Sequence, residues 1–394
     1  MKILQVSNRV PWPLNEGGTI GIYNYTRAYA HLGHEVTLFC LDGIKHNTPV
    51  EEAKKELSKY AEVFIHPIDT DIYKSEALRH LLRNESYNVS RFYNQVFESE
   101  IADLLTREQF DIIQLEGTFT GPYMDIIKEN FDGPVALRMH NVEYEIWERL
   151  AANEKNPLKA TYQNILSKQL KRYESQLIKK ADIIVTVTDD DGQKFEKLHP
   201  RGNYLTIPAG IDLDRWQYKP AEDIHSWYHI GSMEWLANKK AVLWYMDSIH
   251  QKVATIDAKY QLKLAGKGIG KLDIQGEQVQ VTDYVENAID FVSENDVCIV
   301  PLKSGSGIRL KILEAMAAGK LVISTTVGAQ GIAYQKDVHL LIADSPEDYA
   351  KIYKSLLNGK IDFKKIVSNA RTLIEDSYST SALAKKQLEI YKAL

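Results

Sequence analysis

The sequence predicts an α/β fold: two doubly wound parallel-sheet domains that share a cleft. Three observations carry this. Short apolar runs bounded by turn residues alternate along the chain with longer stretches of helical periodicity. Glycine-bearing loops stand directly after several of those runs, at Gly17-Gly18, Gly231, Gly266-Lys-Gly268 and residues 305–307. Finally, 394 residues exceed one ordinary core, so two domains of about 200 residues each are the natural division.

Composition narrows the class. With 44% hydrophobic and 26% charged residues, the chain reads as a soluble globular protein. A net charge of −5 argues against a general nucleic-acid binder. Cys40 and Cys298 both sit in apolar runs, and buried reduced thiols are expected, since no disulfide framework or Cys/His metal spacing is available. Met1-Lys-Ile-Leu-Gln-Val-Ser runs straight into a strand without a signal peptide's apolar core. No window approaches ~18 consecutive apolar residues. The expectation is a cytoplasmic protein with no membrane span and no bound metal or cofactor.

In the first half, residues 3–7 read as a strand, 8–18 as a loop, 19–32 as a helix ended by Gly33, and 35–40 as a second strand. That opening belongs to a doubly wound domain, whose ligands bind beyond the carboxyl ends of the strands. The loop has no Gly-x-Gly-x-x-Gly pattern, so a dinucleotide fingerprint is absent. Gly17 and Gly18 either let the backbone approach a ligand closely or simply turn the chain. A charged helix (51–60), a strand (63–67) and a helical stretch rich in Arg, Tyr and Asn (73–109) follow. Strand 111–116 leads to Gly117-Thr-Phe-Thr-Gly121, a loop for the ligand-facing rim. Strand 134–139 delivers His140-Asn-Val-Glu143 at its carboxyl end. There His140 can meet a substrate, or merely satisfy a nearby backbone group. Residues 157–180 have helical spacing and a basic face of Lys168, Lys171, Arg172, Lys179 and Lys180. That face is either solvated or touches an anionic membrane surface or lipid-linked acceptor. Strand 182–187 closes the series.

A second α/β series begins at strand 227–230 and runs through Gly231-Ser-Met-Glu-Trp235 into a helix over 241–250. Strands 261–265 and 279–281 come next. Its centre is residues 296–328: a buried strand, the loop Gly305-Ser306-Gly307, a helix beginning near Ile308, a left-handed cap at Gly319 and a strand over 321–324. The free N–H groups and positive dipole end of such a helix suit a phosphate. Lys311 and Glu314 share a stripe with Gly307 and follow the loop on one side; alternatively they are an exposed helix pair. A strand over 339–342 and helices from 345 to the end complete the chain.

These stretches, in this order, resemble one family. Gly17-Gly18, His140-Asn-Val-Glu143, Ile207-Pro-Ala-Gly-Ile-Asp212, Gly231-Ser-Met-Glu-Trp235 and the unit from Pro301 to Gly331 together resemble the retaining glycosyltransferases of family 4, enzymes of the GT-B fold. The resemblance implies two Rossmann-like domains facing a central cleft. Residues 1–205 form the acceptor side, 206–222 a linker, 223–376 the donor-binding domain, and 377–394 a helix crossing back to the first domain. It implies that the backbone of Gly305, Ser306, Gly307, Ile308 and Arg309, with Lys311, meets the diphosphate of a nucleotide-sugar donor. Glu314 would bond the ribose, and the main chain around Tyr284 the base. Gly17 and Gly18 would close over the diphosphate, and His140 would approach the donor sugar. His140, Lys311 and Arg309 are the catalytic candidates.

The chain departs from the pattern in two places. Ser306 stands where the family commonly has the first of two glutamates. Where many members carry an Arg and a Lys after the strand, the region here offers Ser232, Asn238 and Lys239. The diphosphate clamp must therefore be built from Arg309, Lys311 and Lys239. The implied activity is metal-independent sugar transfer, with retention, to a glycan or lipid-linked acceptor in cell-surface polysaccharide synthesis. Tyr87, Arg91 and Tyr93 suit a carbohydrate or lipid-phosphate acceptor, or equally a domain surface, and peripheral contact with the inner membrane surface is a further expectation. The alternatives are a GT-B nucleotide-sugar epimerase or a catalytically weak nucleotide-binding partner protein.

Overall fold

Strands buried on both faces set the architecture. The structure, a computed structural model, describes residues 1–14, 17–44, 48–304 and 308–394. The chain divides into two compact units, Met1–Pro208 with Leu383–Leu394, and Ala209–Ala382. In the first unit the strands are β1 (Lys2–Ser7), β2 (Glu35–Gly43), β3 (Glu62–Ile68), β4 (Ile112–Glu116), β5 (Val135–Met139), β6 (Ile183–Thr186) and β7 (Tyr204–Thr206). They form one parallel sheet in the order β3-β2-β1-β4-β5-β6-β7. A parallel sheet needs helical crossovers on its faces, which explains why its central strands lack a solvent-exposed side.

The two-residue period divides those side chains between two cores. Leu4, Val6, Leu115 and Leu137 join Phe39, Phe97 and Met124 on one face. Ile3, Ile112 and Ala136 join Tyr25 and Tyr29 on the other, together with Leu383, Ala384, Leu388 and Tyr391 from the end of the chain. Gln5, Gln114, Glu116 and Arg138 alternate in phase with the second set, and all four are buried. Register pairs Gln5 with Gln114 and Glu116 with Arg138, so a polar patch lies toward the carboxyl ends of three central strands.

The second unit contains β8 (Ser226–Ile230), β9 (Gln261–Ala265), β10 (Val279–Thr282), β11 (Val297–Val300), β12 (Leu321–Ser324) and β13 (Leu341–Ile342). These too are parallel, in the order β10-β9-β8-β11-β12-β13. Tyr228, Cys298 and Val300 face a core with Leu313 and Met316, while Trp227, Val297 and Ile299 face one with Tyr349 and Tyr353. Cys40 and Cys298 are buried free thiols.

Several segments differ from expectation for local reasons. The helix expected from residue 19 starts at Gly17, so both glycines belong to its first turn. The stretch 73–109 breaks into helices Lys74–Arg83, Tyr87–Ser90 and Gln95–Arg107, because Asn84 turns left-handed and Asn94 caps the third. Of the segment 206–222, the part beyond Pro208 packs with the second unit. Ile211 bridges to Ser379, and the Lys219 and Ala221 N–H groups donate to Ala318 and Gly319. Gly319 has the left-handed φ of +78° that ends the preceding helix.

Candidate functional site

Each unit carries one polar cluster at the carboxyl ends of its central strands. In the second unit the loops after β8 and β9 interlock. The Gly231 N–H donates to Ala265 O at 2.9 Å, and Met233 N–H to Lys267 O at 2.9 Å. Gly266 has φ +135°, and a Cβ there would collide with the Gly231 carbonyl. A Cβ on Gly231 would lie 2.6 Å from both Asn238 Nδ2 and Lys311 Nζ. Glycine at 231 therefore makes room for an ammonium at the strand end.

The Lys311 ammonium is oriented by two acceptors. It donates to Asn238 Oδ1 at 3.0 Å and to His229 Nε2 at 3.3 Å. Asn238 is turned for this because its Nδ2 donates to Ser232 O at 3.0 Å. His229 accepts through Nε2 because its Nδ1–H donates to Ile299 O at 2.9 Å, which leaves Nε2 the lone pair. Burial, reinforced by the Lys311 charge, pushes His229 down to about 3, so the ring is neutral. Burial also pushes Lys311 down to about 8 with help from Arg309, against the pull of Cys298 and Glu314. Glu314, one helical turn beyond Lys311, is pushed up to about 7 by burial, opposed by Lys311 and Arg215. The arrangement holds a desolvated cation and a carboxyl of altered acidity side by side.

The other candidates of this unit fall in different places. Gly305, Ser306 and Gly307 lie outside the described residues. The helix expected near Ile308 begins at Leu310, since Ile308 packs on the apolar cluster and Arg309 is the N-cap. Arg309 is only 5% exposed, and its guanidinium stands 5.3 Å from the Trp235 ring centroid. Lys239, a candidate for the diphosphate clamp, is exposed, and its neighbour Asn238 stands beside Lys311. Ser232 contributes its carbonyl, while its hydroxyl accepts from Glu234 N–H at 3.2 Å. The Tyr284 side chain is 75% exposed.

In the first unit His140 leaves β5 and meets Glu116 at the end of β4, with Nε2 2.8 Å from Oε2. Glu116 is fully buried. Its Oε2 also accepts from Arg138 Nη1 at 3.2 Å, and its Oε1 from Gln5 Nε2 at 2.6 Å and Gln114 Nε2 at 2.5 Å. Burial alone would raise the Glu116 carboxyl; Arg138, His140 and Gln5 outweigh it and hold the group at about 2. Glu174 fixes the segment that follows. It accepts from Thr118 Oγ1 at 2.7 Å and from the Glu143 and Tyr144 N–H groups at 3.2 and 3.0 Å, capping the helix Glu143–Ala152.

Gly17 and Gly18 stand at a helix start. The nearest atom to a Cβ on Gly18 would be Arg9 Nη1 at 3.7 Å, an ordinary contact, so packing does not demand glycine there. Two of the three acceptor candidates are engaged within their own segment. Tyr87 is buried, accepting from Tyr73 N–H and donating to Asp71 O, and Arg91 donates to Thr70 O at 3.2 Å. Both tie down their own loop, and only Tyr93 is exposed. On the helix Pro157–Leu177, Lys171 covers the Tyr144 ring, while Lys168 and Arg172 are exposed.

Sequence reasoning missed His229, Glu116 and Arg138. The signal available was a polar residue within a strand buried on both faces, which must find a partner inside.

Known proteins match this architecture. The Glycosyl transferases group 1 pattern matches residues 225–359, over the second unit. A relative from Klebsiella pneumoniae, an uncharacterized 44.6 kDa protein in the cps region, is 21% identical over 396 residues, covering 96% of this chain and 97% of that one. Among solved structures, Anabaena Alr3699/HepE in complex with UDP is similar with a TM-score of 0.68 and 13% identity over 100% of both chains. Sucrose-phosphate synthase from Thermosynechococcus elongatus gives a TM-score of 0.67 and 14% identity over 100% of this chain and 99% of that one. The pneumococcal O-GlcNAc transferase GtfA in complex with UDP and GlcNAc gives 0.66 and 12%, with 100% and 99% covered. The fold is GT-B, with parallel sheets of seven and six strands among the described residues. The Glycosyltransferase Family 4 pattern matches residues 16–215, just over half of the sequence, and the chain belongs to that family.

Proposed function

We propose that this protein transfers a sugar from a nucleoside-diphosphate sugar to a glycan or lipid-linked acceptor, with retention at the anomeric carbon and without a metal. The observation that carries the reading is the Lys311 ammonium, held between Asn238 and His229 over Gly231. Negative charge gathers on the diphosphate as it departs. A cation already oriented in a site of reduced solvation stabilises that charge without reorganising. Arg309 is the second proposed cation. The N–H groups of 305–309 are the proposed phosphate donors, Glu314 the ribose partner, and the main chain at Tyr284 the base contact.

Arg309 and Lys239 were the other members of the expected clamp. The exposure of Lys239 supports a clamp built on Lys311 instead. On the first unit, His140 and the backbone N–H groups at Gly17 and Gly18 are the proposed substrate contacts. The bond from the anomeric carbon to the phosphate oxygen breaks, and one to the acceptor oxygen forms on the same face. The acceptor's proton passes to the departing phosphate. UDP in the Anabaena and pneumococcal complexes supports a nucleotide donor, and we propose cell-surface polysaccharide assembly as the setting. The cytoplasm is the proposed location, and no described helix is long and apolar enough to cross a membrane.

A panel of nucleoside-diphosphate sugars, assayed for release of the nucleoside diphosphate, tests the reading. One donor class should release it, faster when acceptor is added. An isomerised nucleotide-sugar without release would make the protein an epimerase. No calorimetric binding of any nucleoside diphosphate would overturn the reading altogether.

A further inference from the structure

We propose that Glu116 is a positioning residue that holds His140 as its neutral Nε2–H tautomer, leaving Nδ1 as the lone pair offered to a substrate hydroxyl. That a substrate meets His140 rests on the function proposed above; the tautomer rests on Glu116.

Four groups meet the Glu116 carboxylate, and three of them are donors by their chemistry or placement. Oε1 of Glu116 receives the side-chain amides of Gln5 and Gln114, and Oε2 receives Arg138. Turned the other way, the Gln114 amide would set its oxygen 2.5 Å from Glu116 Oε1, acceptor against acceptor. Gln114 Oε1 is met by Tyr29 OH at 3.0 Å, Tyr391 OH at 2.8 Å and Gln387 Nε2 at 3.0 Å, so its NH2 must face Glu116. A carboxylate inside three such donors is ionised and accepts only. The fourth contact, His140 Nε2 at 2.8 Å, must therefore bring a proton of its own.

Whether Nδ1 also carries a proton depends on the surrounding charge. Glu116 favours the imidazolium; burial, Arg138 and Arg9 oppose it, and together they lower His140 below its ordinary range. Arg138 already balances Glu116, so a second cation would have no counter-charge in the cluster. His140 is consequently an acceptor at Nδ1 and cannot donate a hydrogen bond from that atom. Tyr391 and Gln387 belong to the segment at the end of the chain that counts with the first unit. That segment thereby sets the orientation of Gln114 and, through Glu116, of His140.

The test is a histidine 15N–1H spectrum of the full chain between pH 6 and 8, with His140 identified by its loss in His140→Asn. The Nε2–H pattern is expected throughout. An Nδ1–H pattern, or a doubly protonated ring in that range, overturns the proposal. For the donor found by the panel above, Glu116→Gln should lower kcat about 10–100-fold, the scale of losing an orienting partner, with KM changed less than about 3-fold. Glu116→Asp should restore part of the loss. Should Glu116→Gln fail to fold, the wild-type spectrum decides alone. An unchanged kcat in His140→Asn overturns the substrate role of Nδ1. A wild-type protein that turns over no donor strikes at the proposed function instead, and the tautomer is still read from the spectrum.

Discussion

The two clusters are inversions of each other. In the first unit a buried anion, Glu116, orients a histidine whose side chain is 22% exposed. In the second a buried histidine, His229, orients a partly exposed cation, Lys311. The charge sums differ accordingly. Glu116 and Arg138 cancel and leave His140 neutral, so the first cluster presents a neutral ring. His229 and Asn238 are neutral acceptors, so they leave the Lys311 charge standing. Holding a half-buried cation on neutral acceptors, with Glu314 one helical turn away offsetting it in part, costs free energy that an anionic ligand can return. On the function proposed above, the second cluster suits a diphosphate and the first an uncharged group.

Removing the charge should break that contrast with the largest effect. Lys311→Met is expected to reduce kcat about 100–1000-fold, the scale for losing one preorganised stabiliser of developing charge. Lys311→Arg should recover little, because a planar guanidinium does not reproduce the ammonium's bonds to Asn238 and His229. A turnover number in Lys311→Met within a few-fold of wild type would remove Lys311 from the chemistry. Next in size is Glu314→Gln. Loss of a hydrogen bond to a charged group, about 1.5–3 kcal/mol, should weaken nucleoside diphosphate binding about 10–100-fold in calorimetry and leave the fold intact.

The two buried partners should also separate by pH. Burial and Lys311 hold His229 at about 3, below its unfolded value near 6.5. The unfolded chain therefore binds a proton there that the folded chain refuses, and stability present above pH 6.5 is lost as pH falls toward 3. Glu116, held at about 2 against an unfolded value near 4.5, contributes stability present above pH 4.5 and lost toward 2. Urea midpoints for His229→Gln should therefore show a flatter decline between pH 6.5 and 4.5 than wild type. Glu116→Gln should remove its own part of the decline below pH 4.5, and any change it makes above that comes through His140, whose proton affinity Glu116 raises. Equal slopes in wild type and His229→Gln would show that the imidazole is not kept neutral by the fold.

What could be read in advance follows from how each feature is encoded. Parallel strands buried on both faces are written as contiguous apolar runs, as at Val297–Val300 and Leu321–Ser324, whereas the less buried Tyr204–Thr206 and the alternating Val279–Thr282 carry a weaker signal. Lys311 and Glu314 were legible because they follow a glycine loop at helical spacing. Glu116, Arg138 and His229 were not. Their partners come from strands adjacent in the sheet but distant in sequence, and only the register brings Glu116 opposite Arg138. Asn238 was named within the right region but passed over for the charge beside it.

That adjacent pair gives the smallest effects and the most local test. Consecutive helical residues are turned by about 100°, so Asn238 and Lys239 cannot both face the strand end. Asn238 is 4% exposed and joins Ser232 O to Lys311 Nζ, whereas Lys239 projects into solvent. Asn238→Leu removes one acceptor from a desolvated ammonium and should lower kcat about 10-fold, in line with the 1–3 kcal/mol cost of an unmet buried group. Lys239→Ala loses only an exposed charge and should alter kcat/KM less than about 2-fold. The reverse ranking, with Lys239→Ala the more damaging, would return the clamp to the helix after β8 and demote Lys311 to the structural partner of Asn238.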